Sequence, residues 1–331
     1  MTDQAAVTSR VEQLAESEAG LAVLMEQAQR TADPEDFAKI PLGDFEADMR
    51  RAMERLLAHR GEGSDIHLTP PTTAGAPLVI DVISPDMPFI VDSGLAAVRA
   101  AGGTIRMVVH PVVAVDAGHL SQTGRQLSLL HIHSDPVADP EALRAELTTT
   151  MRDVAWAVAD WQPMLARVRQ AIAELEAVPV PKGDEPLRFL DWLTEHNFTF
   201  LGMRSYRLEG DRLEPVANSG LGVLRDPEMR VLRSGAEFVE STPELVEFVA
   251  SGETVLVTKA NVRSRVHRRQ HLDYVGVKLR GPDGAAIGEL RVVGLFTAQA
   301  LAAPHSEVPL VRRKIAEVMR RSGFDPRAHD G

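Results

Sequence analysis

Apolar residues recur along this chain with two different periods. From Leu78 to Ile83 they run almost without interruption and are mostly β-branched. The run is too short for a helix and predicts a strand. Ser84-Pro85-Asp86-Met87-Pro88 breaks it. Asp86 stands where a helix N-cap belongs, and Pro88 has the fixed φ of an early helical position. Val91, Leu95 and Val98 continue at helical spacing, Gly102-Gly103 ends the helix, and a second apolar run extends from Ile105 to Val115. The turn of this strand–turn–helix–strand unit gathers backbone N–H groups at a helix N-terminus. Such a place suits an anionic group, for example an amino-acid carboxylate.

The same pattern divides the rest of the chain. Residues 4–30 predict a polar helix with Val11, Leu14, Leu21 and Leu24 at mixed helical spacing, and Phe45–His59 a shorter one with Met49, Met53 and Leu56 on one face. So few apolar groups do not fold alone. The segment reads as a surface helical pair, the alternative being an oligomer contact. Gly61–Pro77, rich in Gly and Pro, reads as a linker. Gln126–His133 predicts a third strand, and Asp139-Pro140 opens a long helix. Its residues Leu143, Leu147, Met151, Val154, Val158, Trp161, Leu165, Val168, Ile172 and Leu175 stay in phase across Pro163, where a kink is expected. At 1.5 Å per residue it is on the order of 50 Å long. Its first half is expected on the sheet and its second half as a connector.

After the linker Val178–Gly183 come a helix at Pro186–His196 and a strand at Phe198–Leu208, with a return at Leu213–Val216. A short helix follows at Pro243–Ala250, then strands at Thr254–Lys259, Leu272–Leu279 and Ile287–Thr297, and a last helix at Glu307–Ser322. Gly281–Gly284 reads as a hairpin turn. Strands in antiparallel order with peripheral helices are the α+β pattern. The predicted divisions are 1–77 for helices and linker, 78–177 for the first α/β sandwich with its long helix, 178–185 for a linker, and 186–331 for a second α+β domain.

Composition narrows the function classes. With 331 residues the chain is long enough for two cores. A net charge of −11 argues against general nucleic-acid binding. Cysteine is absent, which excludes disulfides, thiol nucleophiles and thiolate metal sites and suits a reducing cytosol. No run approaches ~20 apolar residues, and the first residues have neither the basic segment nor the apolar core of a secretory signal. A cytoplasmic protein without a membrane partner is expected.

Two sets of residues carry a resemblance. One is the run Ser84–Ser93 with Val108-Val109-His110-Pro111. The other comprises His196–Gly202, Thr258–Asn261, Val266-His267-Arg268 and Leu272–Lys278. Together they resemble the ACT-type regulatory region at the N-terminus of the large bacterial NAD-specific glutamate dehydrogenases, over roughly Leu78 to the end. The resemblance implies an ACT-like (ferredoxin-like) α/β sandwich, then a second α+β domain of PAS-like type with an antiparallel sheet. It also implies a non-catalytic region that senses a small effector such as an amino acid. NAD would serve the parent enzyme, and this region would hold no cofactor. Its partners would be the catalytic part of that enzyme, other subunits of a homo-oligomer, and the effector. A scaffold module without a ligand is the alternative. A standard ACT unit has four strands, and only three are evident here, so a strand is missing or comes from elsewhere.

The effector turn implied by the resemblance is Asp86, Met87, Pro88 and Phe89. ACT units often place Gly where Phe89 stands, and the bulk of Phe89 favours a structural helix cap over a ligand turn. Lys259, Arg263, Arg265, Arg268 and Arg269, with His267, His271, Lys278 and Arg280 nearby, form a basic cluster in an acidic chain. A solvated face, an interface and an anion pocket are the three readings. His131 and His133 alternate on one strand face, but a zinc site needs a third ligand that sequence spacing does not supply, so no metal is expected. Gly220-x-Gly222 lacks the third Gly of a dinucleotide fingerprint and reads as a loop. His110, before Pro111, reads as a hydrogen-bonded core histidine. No catalytic constellation emerges.

Overall fold

The computed structural model divides into unit 1, Met1–Ala155 with Arg265–Arg269, and unit 2, Trp156–Ser264 with Gln270–Gly331. The structure describes residues 4–116, 118–121, 123–178, 183–210, 212–234 and 236–315. The predicted last helix extends beyond them, and most of the linker at 178–183 lies outside them.

Unit 1 begins with four helices, α1 (Gln4–Ser17), α2 (Ala19–Thr31), α3 (Pro34–Phe37) and α4 (Leu42–Ala58). Then come β1 (Asp65–Thr69), β2 (Leu78–Pro85), α5 (Ile90–Ala100), β3 (Ile105–Val109), β4 (Val112–Asp116), β5 (His119–Ser121), β6 (Arg125–Ser134) and the long α6 (Pro140–Glu176). The sheet runs β1-β2-β6-β4-β5, with β3 also on β6, and every pairing is antiparallel. The predicted strand Ile105–Val115 is two strands on one partner. Pro111 has no N–H for the ladder, and its carbonyl instead accepts from the Leu129 N–H at 3.0 Å.

The missing strand is β1, inside the stretch read as a linker. It pairs with β2 from Asp65↔Ile83 to Thr69↔Val79. It takes the edge place that a strand after the second helix holds in a βαββαβ unit. The fourth strand therefore precedes the motif.

Both faces of this sheet are covered. Ile80, Val82, Leu130 and Ile132 pack with Ile90, Ala97 and Val98 of α5 and with Leu143, Leu147 and Met151 of α6. Ile83, Met107, Val109, Leu127 and Leu129 pack on the other face with Leu21, Leu24, Met25, Phe37, Phe45, Met49 and Leu56. The N-terminal helices lack an independent core because their core is the second face of the sheet.

Unit 2 takes α6 from Trp156 onward. It adds α7 (Glu185–Trp192), β7 (Phe198–Glu209), β8 (Arg212–Pro215), β9 (Leu221–Gly222), β10 (Leu232–Ser234), β11 (Glu237–Val239), α8 (Pro243–Ala250), β12 (Val255–Arg263), β13 (His271–Arg280), β14 (Ala286–Phe296) and α9 (Ala298–Ala302). Its main sheet is antiparallel in the order β12-β13-β14-β7-β8, with β9 on β7. The second half of α6 is no mere connector: Met164, Val168, Ala171 and Leu175 enter the core with Phe189, Leu190, Phe198, Val275, Leu290 and Val292. α6 runs unbroken past Pro163, which lies on an exposed side. Its buried positions pass through Ala157, Asp160 and Met164, so Trp161 points outward and is 50% exposed.

Candidate functional site

α4 places Phe45, Asp48, Met49, Ala52, Arg55 and Leu56 along one side at helical spacing. The apolar members enter the core, and the polar ones meet a polar patch on the sheet. Opposite them β6 presents His131 and His133, two residues apart and on one face. β2 presents Asp81, directly across from His131 in the register. Asp48, Asp81, His131 and His133 are all buried. His131 Nδ1 donates to Asp81 Oδ1 at 2.6 Å. The Nε2 atoms of His131 and His133 lie 3.0 Å apart. His133 Nε2 is 2.9 Å from Asp48 Oδ2. Arg51 and Arg55, one and two turns along α4, pair with Asp48 and Asp81 respectively.

Charge and burial oppose each other here. Burial alone would raise the Asp81 carboxyl, but His131 and Arg55 hold it below the ordinary carboxylate range. Burial pushes the His133 imidazole below its ordinary value, so it is neutral near pH 7. Asp48 and His133 line the wall of a cavity of about 880 Å³, bounded by α4, the 69–77 segment and the sheet. The wall also carries Asp36, Asp44, Lys39, Arg51 and Arg106. Both signs of charge therefore line one cavity.

The effector turn is built differently from its expectation. Asp86 is exposed and does not cap the helix. The cap position is Phe89, left-handed at φ 73° and ψ −1°. This explains why Gly suits the position, since a bulky residue is strained there. His267 lies against the turn: its ring centroid is 5.2 Å from that of Phe89. Its Nδ1 is 2.9 Å from Asp92 Oδ2, and its backbone N–H donates to Ser93 Oγ at 2.9 Å. Met87 packs toward the α5 and α6 side of the sheet, and Pro88 is exposed.

The residues of the basic cluster are divided between the units, Lys259 and Arg263 in unit 2 and Arg265, Arg268 and Arg269 in unit 1. Lys259 pairs with Asp273 at 2.6 Å, and Arg263 is exposed at the end of β12. Arg265 reaches Glu146 at 3.3 Å and Asp153 at 3.6 Å, and Arg269 also pairs with Glu146. Arg268 is half-buried beside them. His110 Nε2 lies 2.5 Å from Ser128 Oγ, a hydrogen-bonded histidine as its sequence context suggests.

The glycines of 220–222 serve their own backbone. Gly222 has φ 57°, and a Cβ there would stand 2.1 Å from the Leu201 carbonyl oxygen. Its N–H donates to Asp160 Oδ2 at 2.7 Å, and Arg225 closes the same carboxylate at 2.6 and 2.5 Å. The Gly222 N–H is thus already bonded within the chain.

Asp48 and Asp160 escaped the sequence reading, although each falls in phase with the buried stripe of its helix. No described helix is long and apolar enough to cross a membrane.

Comparison with known proteins agrees with this architecture. Residues 24–148 match the profile described as glutamate dehydrogenase, ACT1 domain, and residues 308–331 that of glutamate dehydrogenase, helical motif 1. An NAD-specific glutamate dehydrogenase of Halomonas elongata is 34% identical over 285 residues, covering 76% of this chain and 17% of that protein. One from Pseudomonas aeruginosa is 32% identical over 277 residues, covering 76% and 17%. One from Mycobacterium tuberculosis is 24% identical over 281 residues, covering 78% and 16%. The chain thus spans about a sixth of the length of these relatives. With its ACT1 domain on the two-faced sheet of unit 1, the chain is similar over three quarters of its length to NAD-specific glutamate dehydrogenases.

Proposed function

We propose that this chain is a non-catalytic regulatory region of a large NAD-dependent glutamate dehydrogenase, whose whole reaction is the oxidative deamination of L-glutamate to 2-oxoglutarate. In this reading unit 1 senses a small zwitterionic effector such as an amino acid. Unit 2, with the PAS-like role that the family resemblance gives it, passes the effect to the catalytic part. The observation that carries the reading is the cavity of the ACT1 region. Its wall sets Arg51, Arg106 and Lys39 beside Asp36, Asp44 and Asp48. An amino acid needs a cation for its carboxylate and an anion for its ammonium group, and this wall has both. The cavity suits it better than the Asp86–Phe89 turn, which is backed by the Phe89 ring and His267. Regulation then requires that the effector bind two states of the enzyme unequally.

A thermal-shift screen of the chain against the common amino acids and nucleotides tests this, repeated with Arg51→Met and Asp86→Ala. A stereoselective rise in Tm that Arg51→Met weakens places the effector in the cavity. A rise weakened by Asp86→Ala places it at the turn. A flat screen refutes effector sensing by this region.

The scaffold reading is supported by Trp161, half-exposed on α6. Aromatic side chains left in water are typical anchors of subunit contacts. It expects a mass above the monomer by light scattering that falls on Trp161→Ala. A monomeric wild-type chain sinks it.

A further inference from the structure

The three atoms His131 Nε2, His133 Nε2 and Asp48 Oδ2 converge on a single point inside unit 1 and lie within 4.8 Å of one another. His131 is fully buried, His133 is 4% exposed and Asp48 is 7% exposed. From this geometry we infer that unit 1 holds a divalent transition-metal ion of the zinc class, ligated by Asp48, His131 and His133.

His131 donates from Nδ1 to the Asp81 carboxylate, so in its neutral form Nε2 carries a lone pair. That lone pair faces His133 Nε2 at 3.0 Å, and His133 Nε2 also faces Asp48 Oδ2 at 2.9 Å. One proton on His133 then serves two acceptors. A single cation among the three donors satisfies them together.

The distances suit such an ion. Ligand bonds of about 2.0–2.1 Å at tetrahedral angles separate donor atoms by roughly 3.3 Å. The observed separations of 3.0, 2.9 and 4.0 Å bracket that value. Small side-chain rotations are enough to equalise them. The supporting groups are also present. Asp81 fixes the His131 tautomer that leaves Nε2 free for metal, the arrangement common behind ligating histidines. Arg51 holds the second oxygen of Asp48, and Arg55 the second oxygen of Asp81. These guanidinium groups oppose a cation, but the Arg51 side chain is 40% exposed, so water screens much of its charge. Asp48 and His133 line the cavity, which gives an ion a way in and leaves a fourth position for water.

Donor chemistry selects the ion. Two imidazoles and one carboxylate suit Zn²⁺ and its neighbours, whereas Mg²⁺ and Ca²⁺ take oxygen ligands. The chain has no cysteine, so no thiolate joins the ligands. The ion ties α4 to β6, which fastens the N-terminal helices to the sheet. This inference does not depend on the effector reading, because the ion is detected without any effector.

The test uses the full chain without a histidine tag, freed of metal by chelator and titrated with Zn²⁺ against a chromophoric competitor. One equivalent should bind with a Kd below about 10 µM and raise the Tm. X-ray absorption should show only nitrogen and oxygen neighbours. Asp48→Asn and His133→Gln should each weaken binding by at least about tenfold, and Asp81→Asn by about tenfold. His271→Gln, in unit 2, should leave it unchanged. If His133→Gln does not fold, as judged by circular dichroism, the conservative Asp48→Asn carries the test. Absence of binding overturns the inference, as does one equivalent that survives Asp48→Asn with unchanged affinity.

Discussion

The core of unit 2 contains an ion pair whose removal has a calculable signature. Arg291 on β14 is 1% exposed and Glu289, two residues away on the same face, is fully buried. The guanidinium donates to Tyr206 Oη at 2.8 Å, Tyr274 Oη at 3.2 Å, the Glu240 carbonyl at 2.7 Å and Glu289 Oε2 at 3.2 Å. It also stacks 3.8 Å from the centroid of the Tyr206 ring. Tyr274 donates its hydroxyl to the other oxygen of Glu289. Burial pushes the Tyr206 hydroxyl up to about 12 and that of Tyr274 well above its ordinary range, so both remain protonated donors. Arg291→Met removes the only cation bonded to Glu289 among the described residues and leaves a desolvated carboxylate. The expected loss is about 3–5 kcal/mol. Glu289→Gln keeps the volume and leaves Arg291 with Glu240 and two hydroxyls, for a loss of about 1–3 kcal/mol.

In the double variant no buried charge stands alone on the Glu289 side. Its loss should fall short of the sum of the single losses by on the order of 2 kcal/mol. All three tryptophans, Trp156, Trp161 and Trp192, belong to unit 2, so urea unfolding followed by their fluorescence reads this unit directly. Additivity within about 0.5 kcal/mol would falsify the claim that the two charges form one coupled pair.

Three further outcomes follow from single side chains. Burial pushes Lys278 down to about 8, below its unfolded value, so the native state sheds this proton first and stability rises with pH from about 8 to 10.5; Lys278→Met should abolish that rise and add roughly 1–3 kcal/mol at pH 7, and an unchanged pH profile of urea midpoints would contradict it. At Phe89 the left-handed backbone makes Gly the better small residue, so Phe89→Gly should exceed Phe89→Ala in stability by about 1 kcal/mol; equal Tm values by circular dichroism would show that the position carries no such strain. Asp160→Asn weakens the bonds to Arg225 and the Gly222 N–H and should cost about 1.5–3 kcal/mol, with an unaltered tryptophan-detected midpoint as the refuting result.

What the sequence showed and hid has a common physical cause. β2, β6, β13, β14 and α6 carry long apolar runs, and these were legible to within a few residues. β1 was not, because only Ile66 of its five residues is buried and Gly61, Gly63, Pro70 and Pro71 flank it closely. An edge strand with one buried residue has no alternation to read. The candidate site was half-legible. His131 and His133 stand out by their alternation, but their third partner lies 85 residues from His133, on a helix whose face is judged by apolar content. A signal for it did exist. Asp48 lies in the stripe Phe45, Met49, Ala52, Leu56, and Asp160 in the stripe Ala157, Met164, Val168. Asp81 interrupts an otherwise apolar strand. A carboxylate in phase with a buried stripe is costly unless it is paired, and each of these three has a partner.

α4 is the element on which the two proposals for unit 1 meet. Its polar side bears Asp48, Arg51 and Arg55, which face the histidine cluster or the cavity. Its apolar side buries Phe45, Met49 and Leu56 completely. At about 2 kcal/mol for each such side chain, that seat contributes roughly 6 kcal/mol or more. Driving a two-state equilibrium from 1:99 to 99:1 takes about 5.5 kcal/mol of differential binding. A small effector or a single ion acting here therefore does not lift α4 off the sheet. It acts on the seated helix, by tightening it and by setting the spacing of α4 from β6. The regulatory state change, in this reading, is a small displacement or a loss of mobility in the N-terminal layer. Hydrogen exchange of the α4 amides, with and without ligand, would report it more directly than a change in overall shape.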